Sequence, residues 1–410
     1  MVGAGPAGST AAHLVAKRGF KTLLCEEHDI VGRPCHCTGK LTAHAFQEFD
    51  LPQETILNSV RAAVLHAPRG TKLQIRRDTV DSYILDREMF DFRLAEGASS
   101  SGAELSLQTR VYDLHGSPDG LIVLKAKREG APVELKSRLV IDAEGATPIL
   151  PKMFGLQAER KLLSGIQYEM SDIEIDSPDT VKLYFGREVA PGFFAWIVPV
   201  ADDRARIGLC IRGTTAIGSP RKYLERFLNH NSISGKVKSG RIEKVCAGVE
   251  PINGPVTPTY SDRILAVGDS AGQVKSTSGG GIYFGLKAAK LAGETAVECL
   301  ERDETSKGCL RRYELGWKRS FGWELRSTSL VRKILDGLTD EEVDRVFQII
   351  ADDRIKRLME AYGDTAFQSR LLRPILPEFV KKSLKKASDM VLLAKLLSSG
   401  LANLVTSSHD

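Results

Sequence analysis

The chain has 410 residues, 42% of them hydrophobic, with 57 Lys plus Arg against 52 Asp plus Glu. That length supports two or three domains with ample core, and the composition excludes disordered and collagen-like classes. A net charge of +5 is too small to mark a nucleic-acid binder, no apolar run reaches the roughly 18 residues of a membrane span, and no secretory leader is visible. The seven cysteines are scattered and odd in number, so reduced thiols in a cytoplasmic protein are expected.

The first residues carry chemistry. Gly3, Gly5 and Gly8 form G-x-G-x-x-G around Pro6 and Ala7, and Ala7, Ala11, Leu14 and Val15 follow at helical spacing. Gly19 sits where a helix-ending glycine would, and Phe20–Cys25 reads as a strand ending in Glu26-Glu27. Glu26 lies 23 residues after Gly3, so turn, helix, strand and acid are in register for a dinucleotide fingerprint. In that reading Gly3 makes the tight turn, Gly5 admits the pyrophosphate and Gly8 lets helix and strand pack. The helix N-terminus faces the phosphates, and Glu26 accepts from ribose hydroxyls. The strand that should precede the glycines is reduced to Met1-Val2, and a chain that begins upstream is expected.

Further along, Asp86-Arg87 opens a helical stretch with Phe90, Leu94 and Ala95, and Gly102–Leu105 leads into strands around Val111 and 121–127. The strand 193–199 alternates, with Phe194, Trp196 and Val198 on one face and Phe193, Ala195 and Ile197 on the other. One face suits the core and the other a long apolar slot; two ordinary core faces are the plainer alternative. Ile264–Asp269 is a short apolar strand ending in Gly-Asp, followed by Gly279, Gly280, Gly281 and Ile282 at the head of a helix through Leu300. Asp269 suits a ribityl hydroxyl, and the helix dipole suits an anionic reduced flavin; an Asp-capped strand-turn-helix is the bland reading.

From about residue 310 the chain reads as helical, with periodic segments around 325–338, 341–361 and 379–405, and Pro374 and Pro377 breaking the last two apart. Leu384, Ala387, Val391, Ala394, Leu401 and Leu404 share one face of the last segment, and Lys381, Lys382, Lys385 and Lys386 load its start. Residues 365–410 hold seven basic and three acidic residues, 7 − 3 = +4 of the net charge. Such a helix can lie on an anionic lipid surface or dock on its own domain.

The two glycine boxes together resemble the FAD fold of the p-hydroxybenzoate-hydroxylase type. Within it, Gly32-Arg-Pro-Cys-His-Cys37-Thr-Gly39, the aromatic-x-Trp-x-x-Pro strand Phe194–Pro199 after Lys182–Gly186, and the Gly-Asp box resemble geranylgeranyl reductases. The resemblance runs from residue 1 to about 300. It implies a mixed α/β (α+β) fold. A Rossmann-like FAD domain would span 1–160 with 240–305, an inserted antiparallel-sheet substrate domain 161–239, and a helical region 306–410. It implies FAD held by Gly3, Gly5, Pro6, Ala7, Gly8, Glu26, Cys37, Gly39, Arg87, Val111, Asp269, Gly280, Gly281 and Ile282. Cys37 is the family's pocket thiol and the catalytic candidate; Tyr184, Phe194 and Trp196 line the substrate pocket.

Departures from the pattern are Glu144 for the Asp of Ala-Asp-Gly, Val198 for Phe, Val200 for Lys and Cys210 for the second Gly of Gly-x-Gly after Gly208. The activity implied is saturation of isoprenoid double bonds by hydride from reduced flavin. Digeranylgeranyl glycerophospholipids are the leading substrate class, ahead of a prenyl diphosphate, a quinone side chain or a chlorophyll tail. No second fingerprint appears, so NAD(P)H would bind without its own Rossmann domain, or another reduced carrier supplies the electrons. Cys35-His36-Cys37 lacks a second ligand pair at zinc spacing, so no metal is expected. The rival readings are a flavin monooxygenase or halogenase on the same fold, and a non-catalytic electron-transfer partner. The expected location is cytoplasmic, with 379–405 peripheral on the membrane face.

Overall fold

The computed structural model describes residues 1–153, 155–156 and 160–401. They form two compact units, the first built from 1–35, 86–161 and 251–325, the second from 36–85, 162–250 and 326–410. These units differ from the boundaries expected at 160, 240 and 305. Residues 36–85 join the sheet unit because Ala62–His66 pairs in parallel with Thr180–Phe185. The helix Lys307–Trp317 stays with the first unit, where buried Tyr313 donates to the Ala266 carbonyl at 2.8 Å.

The first unit is organised on a parallel sheet in the order Ala103–Ser106, Thr22–Cys25, Val2, Val140–Asp142, Ile264–Ala266, with Tyr260–Ser261 antiparallel at the edge. Short though it is, Met1–Gly3 makes a full ladder. Val2 N–H donates to Ile141 and Gly3 N–H to Cys25, while Cys25 and Ala143 N–H groups donate to Met1 and Val2. Its central strands Val140–Asp142 and Ile264–Ala266 are buried at every residue, as a sheet covered on both sides requires. The helix Pro6–Lys17 buries Ala11, Ala12, Val15 and Ala16; it starts with proline in its first turn, and Gly19 follows it at φ +82°. Asp86 caps the helix Arg87–Ser100 by accepting from the N–H groups of Glu88 and Met89, each at 3.1 Å. An antiparallel three-stranded sheet, Thr109–Gly116, Ile122–Arg128 and Ala131–Ser137, completes the unit.

The second unit holds a seven-stranded sheet in the order 241–251, 162–171, 204–212, 194–201, 180–185, 62–66, 72–76. Cross-strand register divides its side chains between two faces. Leu183 stands opposite Trp196, and Trp196 opposite Gly208, whereas Tyr184 stands opposite Ala195. On the Ala195 face, Ile166, Tyr168, Ile207 and Leu209 pack with Leu224 and Phe227 of the helix Pro220–Leu228. On the Trp196 face, Val181, Val198 and Val200 pack with Val60 and Ile84 of a three-stranded sheet, Lys40–Thr42, Ser82–Leu85 and Ile56–Val60.

The helical tail departs from expectation. Residues 341–361 are two helices, Asp340–Ile350 and Asp353–Tyr362, the second capped by Asp352. Pro374 and Pro377 do not separate helices, because both lie within Leu372–Ser383. Pro374 falls in the first turn, where its missing N–H has no intrahelical partner to lose. The break falls instead at 384–386, before Ala387–Leu396. Among the described residues no helix is long and apolar enough to cross a membrane. The expectation of reduced thiols is corrected at one pair. Cys299, near the end of Ile282–Glu301, and Cys309, in the helix that returns against it, form a disulfide. Cys25 and Cys210 are free thiols.

Candidate functional site

In the first unit the glycine loop is shaped by close approach. A Cβ on Gly3 would stand 2.3 Å from the Ala143 carbonyl oxygen, and one on Gly8 would stand 1.9 Å from that of Gly3. At Gly5 the reverse holds: no described atom lies within 4 Å of a Cβ position, so the backbone is open to a ligand. Gly5 is also the N-cap of Pro6–Lys17, with no side-chain cap and no acid in the first turn. The positive helix end is therefore left for an external anion.

Glu26 is nine-tenths buried at the end of its strand. Its carboxylate accepts from the Ala4 N–H at 3.0 Å, binding the acid to the glycine loop, and its other oxygen meets the His28 ring at 2.6 Å. A carboxylate has roughly four acceptor positions, so ribose hydroxyls still find room on it.

The late box meets the first at Ala7, whose methyl lies 3.3 Å from a Cβ position on Gly268. A Cβ on Gly281 would stand 2.8 Å from the Asp269 carboxylate, so this acid sits at the head of Ile282–Glu301 without capping it. Burial raises the Asp269 pKa, while Arg87 and Arg160 oppose the rise. Arg87 is clamped by Asp91 through two hydrogen bonds of 2.9 and 2.8 Å, which fixes its guanidinium on the helix it opens. Val111 is core, at a bulge in a strand whose first residue, Thr109, donates its N–H to the Glu26 carbonyl at 2.7 Å. Gly3, Gly5, Pro6, Ala7, Gly8, Glu26, Asp269, Gly281 and Ile282 thus form one constellation that fits a dinucleotide; Gly280 flanks it, held close to Lys275.

Asp142 and Arg160 escaped sequence reading, and Glu144 was read only as a departure from the family pattern. Asp142 accepts from the Ser270 hydroxyl and from the Glu144 N–H. Glu144 accepts from the N–H groups of Ile149 and Leu150 at 3.0 and 2.9 Å. Its extra methylene relative to Asp is what reaches the turn beginning Leu150–Met153. Burial, then the adjacent Asp142, push Glu144 up to about 8, and burial raises Asp142 as well. Arg160 donates to the Asp269 carbonyl at 2.9 Å, tying the two segments.

In the second unit the register separates the predicted pocket residues. Phe194 and Trp196 share one face of the sheet, whereas Tyr184 lies on the other. Phe193 also departs: it precedes the strand, in a turn, and its ring stacks on Phe194 at 4.2 Å. The Phe194 face carries an aromatic row, Phe347–Phe185–Phe194–Trp196, with centroids 5.4, 5.5 and 6.2 Å apart. Trp196 donates to the Gln167 side chain at 3.0 Å. Thr38 and Gly39 are held against this same face by Arg206. Arg206, opposite Val198, donates to Glu169 at 2.9 Å and to the carbonyls of Thr38 and Leu85 at 2.7 and 2.9 Å. The Gly39 N–H in turn points at the Cys37 sulfur, 3.3 Å away. Arg206 was missed, although a lone arginine amid Ala205–Ile211 is the signal of a buried, fully bonded cation.

Comparison with known proteins follows the same division. Residues 162–249 match a model described as the geranylgeranyl reductase catalytic domain, and residues 1–152 one described as FAD dependent oxidoreductase. The chain is 33% identical to digeranylgeranylglycerophospholipid reductase 2 of Methanothermobacter thermautotrophicus, over 92% of this chain and 98% of that one. It is 32% identical to digeranylgeranylglycerophospholipid reductase of Methanocaldococcus jannaschii, over 86% of this chain and 90% of that one. Among solved structures, a geranylgeranyl bacteriochlorophyll reductase-like protein from Thermoplasma acidophilum superposes with TM-score 0.81 at 25% identity, covering 94% of this chain and 97% of that one. The flavin-dependent halogenase CmlS shares the fold alone, with TM-score 0.67 and 16% identity over 94% and 77%.

Proposed function

The chain belongs to the geranylgeranyl reductase family of FAD-dependent oxidoreductases, and from that premise we propose that it saturates the chains of a digeranylgeranyl glycerophospholipid while resting on an anionic membrane. It is an FAD-dependent reductase of isoprenoid C=C bonds. Reduced FAD supplies the hydride when bound, and the constellation from Gly3 to Glu26 with Asp269, Gly281 and Ile282 would hold it. The observation that carries the substrate reading is the aromatic row on the Phe194 face, with the Cys37 segment anchored to the same face by Arg206. A largely buried row of rings, tilted 49–72° to one another, orients a branched polyene by contact and excludes water from it. Cys37, the neighbour of Thr38, is the candidate pocket residue.

The membrane reading rests on the tail. Leu384, Ala387, Val391 and Ala394, the face expected to meet lipid, are all exposed, Leu384 at 57% and Val391 at 73%. Leu392, Leu393 and Leu396 are buried instead. The helix therefore docks through one stripe and leaves a second apolar stripe outward, beside exposed Lys381, Lys385 and Lys386. That pairing of apolar residues with cations complements an anionic bilayer surface. Lys382 is bound to Asp352 and Lys395 to Glu342, which holds the tail on its unit. Leu404 lies outside the described residues.

The test is a single-turnover assay. The FAD-loaded protein is reduced with dithionite without oxygen and given a digeranylgeranyl glycerophospholipid in anionic vesicles. A lipid mass gain of two hydrogens per double bond, with flavin reoxidation, is expected. Flavin that stays reduced beside unchanged lipid would overturn the reading, and hydroxylated or halogenated product on admitting oxygen would replace it.

A further inference from the structure

The Ala195 face of the seven-stranded sheet, opposite the aromatic row, encloses a cavity of ≈ 490 Å³ that the reductase reading leaves without a role. The sheet itself builds its polar end. Tyr184 pairs with His66, and His66 with Lys72, so three neighbouring strands set Tyr, His and Lys in one row on one face. The next row places Ile207, Ile197, Lys182 and Val64 side by side. Ile173, Ile175, Ile233 and Val237 close over these from the adjoining loop and helix. The result is an apolar chamber whose polar end carries Lys72, Lys182 and Lys236 against the carboxylates of Glu174 and Asp176.

Two observations point to a ligand there. His66 stacks on Tyr184 with centroids 4.2 Å apart and planes 9° from parallel, yet its buried Nε2 has no hydrogen-bond partner among the described residues. A buried polar atom left unbonded is a cost that a native structure rarely carries without use. The local charge also has a sign. Burial, then Lys72 and Lys182, lower the His66 pKa to about 4, so the ring is neutral and lies in a positive potential. Asp176 binds both Lys182 and Lys236 and holds them at the wall, while Lys72 is left facing the row.

We propose that this cavity is a binding site for a small anionic amphiphile, a carboxylate or phosphate carrying an apolar chain, whose head bonds His66 Nε2 beside Lys72 and Lys182 and whose chain lies against Ile197 and Ile207. Its size is that of a pocket for a compact organic ligand. The site lies across the sheet from Phe194 and Trp196 and does not depend on the identity of the reduced lipid.

The experiment titrates the full-length FAD-loaded protein with decyl phosphate, decanoate and decanol by calorimetry. Binding of an anionic probe at least tenfold tighter than decanol is expected, and whichever of phosphate or carboxylate is tighter identifies the head. Lys72→Met should weaken the anionic probes at least fivefold and leave decanol unchanged, and Val64→Trp should abolish binding by filling the chamber. Should Val64→Trp fail to fold, seen as a lost cooperative melt, Lys72→Met decides alone. Equal binding of the three probes, no binding of the anions at millimolar concentration, or anion binding indifferent to Lys72→Met would overturn the proposal.

Discussion

The ring of Trp196 lies so close over Gly208 that a Cβ there would stand 2.7 Å from it. The same accommodation recurs one pair along the strand, where the sulfur of Cys210 would stand 2.8 Å from a Cβ on Gly165. The family's second glycine is thus a cysteine in this chain, and the missing space is supplied across the ladder. Gly208→Ala should push the indole off its Gln167 hydrogen bond and cost about 1–3 kcal/mol from overpacking. A shifted tryptophan emission, lipid reduction lowered at least tenfold and undiminished FAD binding are expected. Unchanged turnover would separate Trp196 from the substrate.

Glu26 ties the strand end to the glycine loop through Ala4. Removing a charged acceptor costs about 1.5–3 kcal/mol, so Glu26→Ala should weaken FAD by roughly ten- to a hundredfold. Glu26→Gln, which keeps an acceptor for Ala4, should lose less. Flavin retained through gel filtration, followed by a fluorescence titration, measures both.

Buried Asp142 and Glu144 give the first unit a pH signature. Glu144, pushed from 4.5 to about 8, keeps its proton in the folded protein between those values while the unfolded chain has released it. The native state binds more protons in this window, so stability falls as pH rises from about 5 to 8 and then levels. Glu144→Gln retains an acceptor for Ile149 and Leu150 and should flatten the fall. Melting temperatures across that range check it, and an identical slope in the variant would refute the assignment.

Arg206 carries the Thr38 carbonyl on the Trp196 face, and its loss leaves Glu169 with only the more distant Arg204, 3.8 Å away. Arg206→Met should destabilise the protein by about 3 kcal/mol. It should also raise the labelling rate of Cys37, read by mass spectrometry of its peptide after a brief pulse of iodoacetamide.

The tail is tested without truncation. Leu384→Glu with Val391→Glu places charge on the exposed stripe and spares Leu392, Leu393 and Leu396. Co-sedimentation with anionic vesicles should drop at least fivefold, with melting temperature held; equal sedimentation would return the stripe to ordinary surface.

What was legible in the sequence is what is local. The helix and strand between Gly3 and Glu26 form where the sequence places them, because turn, helix, strand and acid are contiguous and each has its own signature. The same holds for Asp86 at its cap and for Gly281 before Ile282. What depends on register was not legible. Tyr184 and Trp196 fall on opposite faces because Tyr184 pairs with Ala195, and no spacing within either strand fixes that partner. Pro374 misled for a related reason: its effect depends on where the helix starts, and a first-turn proline is no break. Residues 36–85 were expected in the FAD domain, and their strand Ala62–His66 instead finds its partner far along the chain, at Thr180–Phe185.

The backbone passes between the two units at five points, after residues 35, 85, 161, 250 and 325. On the ribosome, Val2 and Thr22–Cys25 emerge early, yet Ile264–Ala266 must be made before the parallel sheet gains the strand beside Val140–Asp142. The nascent chain therefore carries an open sheet edge for most of its synthesis. Such distant pairings cannot close until late in synthesis. Conditions that shield strand edges during translation are therefore expected to raise the yield of folded protein.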